Sequence, residues 1–531
     1  MRKRKNDEDL ELEKIEEAFD DLSDLIDATA DERPAELVEA EYESWNGPAT
    51  RKWVAEDVAG KLFAVIGLAR AGLPAARFLA ERGARVIGYD SRPLDELGLE
   101  AKRLLGLGVE IRNSENGYEG LEKCQTIVLS PGLKIHQDPL KAVLEGIESW
   151  GTEVIGELEL AFRFCPAPII GVTGTKGKST TTKLIAEMLE AAGQKVARAG
   201  NTGTPLIAEL STLDEDSWAV VEVSSFQLEK APTFHPRISV LLNLLPDHLD
   251  YHPTLFQYWS TKLKIFANQT PGDVAIFNTD DPAVAALVNG ESDFMNVRDT
   301  IQARVMIASA RQTPRAAEAK VIPGREWVGW EENGTWIPLL PLDGVPLRGP
   351  HNVSNIAAAV AAVGAALGES VIEHRLAIVE RMRSFESLPH RLEIVGNARN
   401  LTWVNDSQAT IPAATVAALQ SFEPPITLIA GGQTKLDEAS FDVLGQAIVK
   451  CGATLITIGD AEIMLADMAA RHGLSDDKII EAHTLQQAII KARQVTPPGG
   501  TVLLSPACAS FDQFKSYEER GEKFREFVKR L

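Results

Sequence analysis

Strand-length apolar runs alternate with helical segments in three consecutive blocks, which predicts an α/β protein of three domains. Two glycine loops support this, Gly67–Gly72 and Gly174–Thr181, each following a strand-like run and opening a helix-like one. Length agrees: 531 residues exceed one ordinary core, and 44% hydrophobic residues can fill several.

Residues 1–57 stand apart as an acidic extension. They hold 8 Lys and Arg against 19 Asp and Glu, half of the net charge of −22. Leu12, Ile15, Phe19, Leu22 and Ile26 repeat at 3, 4, 3, 4, the seam of one amphipathic helix, over about two heptads. Both a loose or disordered tail and a partner-binding helix fit that pattern.

The first block, residues 58–156, opens with the strand Lys61–Ile66, the loop Gly67–Gly72 and a helix to about Arg82. The strands Arg85–Asp90 and Thr126–Ser130 follow. The order predicts a small Rossmann-like domain. The second block, 157–386, carries the strand Pro168–Thr173, the second glycine loop and the helical segment Lys183–Leu189. Further strands are expected at Trp218–Val223, Ile238–Leu242 and Val274–Phe277, with an Ala-rich helix after His351. The third block, 387–531, places strands at Thr402–Asn405, Ile426–Ala430, Leu455–Ile458 and Val502–Leu504, again Rossmann-like. A ligand cleft is expected where the three meet.

Composition excludes several classes. Cys124, Cys165, Cys451 and Cys508 lie far apart without a C-x-x-C, against a zinc site or a disulfide framework and in keeping with a cytoplasmic protein. The acidic balance argues against general nucleic-acid binding. The longest weakly polar stretch, Ile356–Gly368, is shorter than the roughly 18 residues a membrane span needs. The basic start Met1–Lys5 leads into acidic residues, not an apolar signal region.

The loop Gly174-Thr175-Lys176-Gly177-Lys178-Ser179-Thr180-Thr181 carries the chemistry. Strand, glycine loop and helix cradle phosphates with backbone N–H groups; Lys178 supplies a point charge, and the Ser179 hydroxyl can reach Mg²⁺. Val172 stands where the strict phosphate-loop pattern has its first glycine, so this is a variant loop. Glu222 ends a strand, where phosphate-loop folds place an acid that holds Mg²⁺. His248 lies in a polar loop after the next strand, and Lys262 and Lys264 lie on a helix, where lysines usually face solvent. In the first block Ala69 replaces the second glycine of the dinucleotide fingerprint, while Asp90 ends the next strand as a ribose-binding acid would. NAD, another nucleotide diphosphate, or purely structural glycines all fit. In the third block, Asn405–Thr410, Gly431–Lys435 and Ser505–Phe514 put polar groups at strand C-terminal ends, where open α/β sheets bind ligands.

Taken together, Gly174–Thr180, Glu222-Val223-Ser224-Ser225-Phe226-Gln227-Leu228-Glu229, Asp247–Asp250, Leu388-Pro389-His390-Arg391 and Ser505–Phe514 followed by Arg520-Gly521 resemble the Mur ligases, in particular their D-glutamate-adding branch. The resemblance runs from about Gly60 to the C-terminus. It implies an ATP-dependent amide ligase that adds D-glutamate to UDP-N-acetylmuramoyl-L-alanine through an acyl phosphate, in peptidoglycan precursor synthesis. It also implies a phosphate-loop ATPase as the central domain.

By that resemblance, Gly174 to Thr180 with Asn352, Asn355 and Arg391 would bind ATP, Lys178 contacting its phosphates. Ser179 and Glu222 would hold one Mg²⁺, and His248 a second together with Lys262 in carbamylated form. Leu68, Ala69, Ser91, Arg92, Ser130, Gly132, Asn201 and Ser224 would take the UDP-substrate. Thr410, Lys435, Ser510 and Tyr517 would take D-glutamate. Gln408 replaces the family's usual lysine and removes a positive charge near the glutamate site; Lys435 and Lys515 remain. A monomer is expected, with a partner conceivable for residues 1–57. Three alternatives stand beside this: a folylpolyglutamate-type ligase, whose loop usually reads Gly-Lys-Gly-Ser, an NAD-dependent oxidoreductase, and a nucleotide-binding module without turnover.

Overall fold

The computed structural model describes residues 52–149, 151–249, 251–291, 300–310, 317–322, 327–332, 335–342, 345–347, 349–434 and 438–531. The helical seam expected at Leu12–Ile26 lies outside these residues. The last residues of the acidic extension are placed. Trp53 packs edge-on against Phe164, Arg163 stacks over Trp53, and Lys52 Nζ donates to the Phe162 carbonyl at 2.8 Å.

The first sheet holds β1 (Leu62–Ile66), β2 (Arg85–Asp90), β3 (Glu110–Asn113), β4 (Thr126–Leu129) and β5 (Glu153–Gly156). All pairings are parallel, in the order β3-β2-β1-β4-β5. Helix α1 (Gly72–Glu81) follows β1 and buries Ala75, Ala76 and Leu79 on the sheet. Strands β3 and β5 have four residues each and carry charge, so periodicity does not reveal them.

The second sheet contains β6 (Ile169–Thr173), β7 (Lys195–Gly200), β8 (Ser217–Glu222), β9 (Ile238–Leu241), β10 (Val274–Asn278), β11 (Arg304–Ser309), β12 (Ala317–Ile322), β13 (Trp327–Glu332) and β14 (Thr335–Pro341). Its order is β14-β13-β12-β11-β10-β9-β6-β8-β7. Strand β6 is interior, between β9 and β8, and fully buried, which explains its unbroken apolar run. Helix α2 (Lys178–Ala191) starts from the glycine loop, five residues earlier than the apolar pattern suggests, because its first turn carries Ser and Thr. Helices α3 (Ser225–Glu229) and α4 (Leu255–Leu263) follow, and then the Ala-rich α5 (Pro350–Leu367). Buried from Ile356 to Gly364, α5 packs against α2 with small side chains that allow close approach.

The third sheet runs β15 (Glu393–Ala398), β16 (Leu401–Asn405), β17 (Ile426–Gly431), β18 (Thr454–Ile458), β19 (Ile479–His483) and β20 (Thr501–Leu504), in the order β15-β16-β20-β17-β18-β19. Only β15 is antiparallel, forming a hairpin with β16. Helix α6 (Tyr517–Lys529) closes the chain. One apolar core runs continuously from the first sheet to the second through Leu158, Phe162 and Phe234, whereas the third sheet carries separate clusters on its two faces.

Gly72 shows how tightly the first glycine loop is built. A Cβ there would lie 1.8 Å from the Gly67 carbonyl oxygen, whereas a Cβ on Gly106 would meet nothing within 4 Å. Gly72→Ala should therefore cost roughly 1–3 kcal/mol through forced overpacking, and Gly106→Ala should be neutral or slightly stabilising. Thermal unfolding of the two variants checks this; equal midpoints would contradict it.

Candidate active site

Strand β6 delivers the chain to Gly174, whose φ of 148° suits glycine alone. A Cβ there would press on Leu242 at 3.0 Å. Gly177 (φ 83°) is closed off by Asn355 of α5, whose Oδ1 would lie 2.5 Å from an added Cβ. The segment after β9 then pins the loop. Asn243 Oδ1 accepts from the Lys176 N–H at 2.8 Å, the Asn243 carbonyl accepts from the Thr175 N–H at 3.1 Å, and Thr175 Oγ1 donates to the Leu245 carbonyl at 3.0 Å.

Positive charge gathers on this frame. Lys178 Nζ donates to the carbonyls of Gly174 (2.9 Å) and Thr175 (3.0 Å). Lys262, from the last turn of α4, donates to the same Gly174 carbonyl at 3.1 Å and lies over the Tyr258 ring. It is only 2% exposed, which overturns the solvent-facing expectation for a lysine at that helical spacing. Burial, reinforced by the charge of Lys178, pushes the Lys262 amine far below the usual lysine range. Burial likewise lowers Lys178, to about 8. Arg391, from the turn before β15, reaches across to donate to Ser179 Oγ at 2.9 Å.

Two carboxylates answer these cations. Glu222, at the end of β8, accepts from Thr202 Oγ1 at 2.9 Å and Asn201 Nδ2 at 3.3 Å. Burial would raise its carboxyl, but Lys178 and Arg391 outweigh that and hold it below the usual range. Asp247 pairs with Lys176 at 3.4 Å and is likewise held low by Lys176 against burial. His248 follows in a left-handed conformation (φ 56°), its ring against Phe226 and Tyr258, and burial lowers its pKa. Among the described residues, no three His, Cys, Asp or Glu side chains cluster as a metal site. The Ser179 hydroxyl and the Glu222 carboxylate nonetheless offer hard oxygen donors beside the loop, which suits Mg²⁺, an ion that takes few protein ligands and fills its shell with phosphate and water.

A cavity of about 560 Å³ brings most of the expected ATP and glutamate residues together. Thr175, Lys176, Gly177, Lys178, Thr180, Glu222, His248, Asn352, Asn355 and Arg391 line it, with Asn201, Gln408, Thr410 and Tyr517. Ser510 is not part of that lining. It is 2% exposed, and its carbonyl accepts from the Phe514 N–H at 2.8 Å. Lys435 lies outside the described residues. Asp406 was not singled out by sequence, although it follows Asn405 at a strand end. It is buried yet lines the same cavity, accepts from Ser505 Oγ at 2.8 Å, and is raised by burial to about 7.

Of the residues expected to hold the UDP-substrate, Leu68, Ala69, Ser91, Arg92, Ser130 and Gly132 sit at the C-terminal edge of the first sheet, and Asn201 and Ser224 follow strands of the second. Asp90 accepts from the Leu68 N–H at 2.8 Å and from Arg92 Nε at 2.9 Å, so both of its oxygens are engaged, where an NAD site would need them for ribose. Ser91 accepts from Asn113 Nδ2 through its carbonyl. Ala69 accepts from the Leu73 N–H as α1 begins. Ser130 and Gly132 line a small pocket with Gln227 and Tyr251 of the central domain. Ser224 caps α3 in a reciprocal box with Gln227. Arg70 bridges the two sets by donating to the Asn201 carbonyl.

Comparison with known proteins fits this geometry. The MurD-like N-terminal domain of Mur ligases matches residues 61–156, the Mur ligase middle domain 172–363, and the Mur ligase glutamate ligase domain 390–508. A UDP-N-acetylmuramoylalanine–D-glutamate ligase of Pelotomaculum thermopropionicum is 40% identical over 476 residues, covering 89% of this chain and 98% of that one. The chain belongs to the Mur ligase family. An enzyme of the same name from Symbiobacterium thermophilum is 37% identical over 88% of this chain and 98% of its own. Among solved structures, a pseudomurein peptide ligase type C from Methanothermus fervidus shares the fold of this Mur ligase. The TM-score is 0.53 at 18% identity, over 89% of this chain and 100% of that one. As a Mur ligase it is an ATP-dependent enzyme working with Mg²⁺ on small molecules, which removes the oxidoreductase and binding-module alternatives. No described helix is long and apolar enough to cross a membrane.

The Lys178 shift has a measurable sign. Its folded pKa of about 8 lies below the ordinary 10.5, so the unfolded chain binds the extra proton. The destabilisation is complete below about pH 8 and fades as pH rises toward 10.5. The unfolding midpoint of the ligand-free enzyme should therefore climb more steeply across that interval than that of Lys178→Met. Parallel pH profiles would contradict it.

Proposed function

We propose that the chain joins D-glutamate to the L-alanine carboxylate of UDP-N-acetylmuramoyl-L-alanine, converting ATP to ADP and phosphate. The observation that carries this reading is one cavity. It is lined by a cation-rich phosphate loop on one side and by the polar strand ends of the third domain on the other. Near-full-length relatives bear the name of this activity.

In this reading the UDP moiety rests on Leu68, Ala69, Ser91, Arg92, Ser130 and Gly132, and Asn201 and Ser224 lead its peptide end toward Glu222. Lys176, Lys178 and Arg391 neutralise the triphosphate, and Asn352 and Asn355 border it. Ser179 and Glu222 would hold one Mg²⁺, and His248 and a carbamylated Lys262 a second. When bound, these ions lower the repulsion between an anionic nucleophile and an anionic phosphate. The alanine carboxylate oxygen attacks the γ-phosphorus, the bond to the β-phosphate oxygen breaks, and ADP leaves behind an acyl phosphate. The D-glutamate amine, oriented by Thr410 and Tyr517, then attacks the acyl carbon. The amine loses a proton and the amide forms as the acyl carbon–oxygen bond breaks, and phosphate departs with the former carboxylate oxygen. Enclosure between the domains keeps water from that intermediate.

The setting of Lys262 supports the carbamate. A buried amine driven toward its neutral form is nucleophilic; adding CO₂ and losing a proton turns it into an anion beside Lys178 and Lys176. The product matches the surplus of positive charge and the oxygen preference of Mg²⁺. Lys262→Ala should lose most activity and regain part of it with acetate, while Lys262→Arg should not respond. Full activity of Lys262→Ala would remove the carbamate.

Phosphate release from ATP should require both UDP-N-acetylmuramoyl-L-alanine and D-glutamate. Lys178→Ala should lower it by roughly a hundredfold or more with the fold intact by circular dichroism. Release that ignores D-glutamate, or a fully active Lys178→Ala, would refute the assignment.

A further inference from the structure

Arg391 stands between two non-glycine residues in the left-handed region, His390 (φ 64°) and Leu392 (φ 44°). For leucine this backbone is costly and persists only where the surroundings over-determine it. Here they do. Asn405, fully buried at the end of β16, donates from Nδ2 to His390 Nδ1 at 2.9 Å and to Glu393 Oε2 at 3.1 Å. Its Oδ1 accepts from the Ser407 N–H, which fixes the orientation of the amide. Glu393 in turn accepts from the His390 N–H at 2.9 Å and from Arg525 of α6 at 2.7 Å. Asp406 accepts from the Leu392 N–H at 3.1 Å, and the His390 carbonyl accepts from the Gln408 N–H at 3.1 Å. On the far side, Gly521 lies so close that an added Cβ would meet His390 Nδ1 at 2.1 Å.

The hydrogen bond from this clamp to the phosphate-loop helix is made by Arg391, whose guanidinium crosses from the third domain to Ser179 Oγ at 2.9 Å. We propose that Asn405 and His390, held by Gly521, are positioning residues. They lock the Leu388–Glu393 turn so that Arg391 is presented to the ATP phosphates from the neighbouring domain. This rests on the reading of Arg391 as a phosphate-binding residue. It explains why a buried Asn–His pair and a glycine with no positive φ meet at this spot. It also assigns the clamp to the activation of the first substrate rather than to capture of the amino acid.

A double-mutant cycle tests it. The readout is kcat/KM for ATP, from phosphate release at saturating UDP-N-acetylmuramoyl-L-alanine and D-glutamate. Asn405→Ala and Gly521→Ala should each lower it by about tenfold or more, Arg391→Ala should lower it further, and either clamp variant combined with Arg391→Ala should fall no lower than Arg391→Ala alone, within about twofold. Gly521→Ala deletes no hydrogen-bonding group, so it runs the same cycle if Asn405→Ala does not fold. Losses that multiply would overturn the positioning role while leaving Arg391 in the site. A clamp variant within about twofold of wild type would overturn it as well. Wild-type kcat/KM in Arg391→Ala would overturn both the proposal and the phosphate-binding reading beneath it.

Discussion

Buried positive charge without matching negative charge is the constraint on which the rest of this molecule depends. Lys178 and Lys262 both point at the carbonyl of Gly174, and Arg391 donates to Ser179, the residue next to Lys178. Among the described residues, Glu222 and Asp247 oppose them, held low by their lysine neighbours, while Asp406 faces Arg391 with its own carboxyl raised by burial. A protein interior does not hold ammonium groups cheaply, and both lysines respond by losing proton affinity. An anionic ligand relieves that strain, and a triphosphate relieves most of it. The site is therefore less stable empty than filled, as expected of a site whose binding energy is meant for an anion.

The surrounding architecture serves this cluster. Strand β6 is buried and paired on both sides, by β9 and β8, which anchors the loop it feeds. Asn355 closes on Gly177 from α5, and Asn243 and Leu245 hold the other side. The first sheet shares a core with the second, which fixes the C-terminal edge of the first relative to the loop. The third sheet has cores of its own and meets the loop mainly through side chains such as Arg391.

Much of this was legible in the sequence, because the decisive features are local. Strand, glycine loop and helix lie within about twenty consecutive residues, and Glu222 and His248 announce themselves at strand ends. The illegible parts depend on distant chain. Lys262 reads as a solvent-facing lysine because only the tertiary packing of α4 onto Tyr258 and Gly174 buries it. His390 and Asn405 belong to a family motif and a strand end that sequence does single out, but their contact with each other and with Gly521, over a hundred residues on, is set by tertiary packing. Strands β12 to β14 add an antiparallel hairpin to the edge of a parallel sheet, an extension that apolar periodicity did not signal. Ser510 shows the opposite limit: its strand-end position was readable, yet it does not line the shared cavity.

The central claim is that the cation cluster activates a carboxylate by making it an acyl phosphate. It is tested most directly with UDP-N-acetylmuramoyl-L-alanine labelled with ¹⁸O in the alanine carboxylate. Attack of that carboxylate on the γ-phosphorus and later cleavage of the acyl–oxygen bond must carry one ¹⁸O into the released phosphate, alongside ADP. Mass spectrometry of the phosphate should show one labelled oxygen per turnover. Unlabelled phosphate, or AMP in place of ADP, would contradict the account.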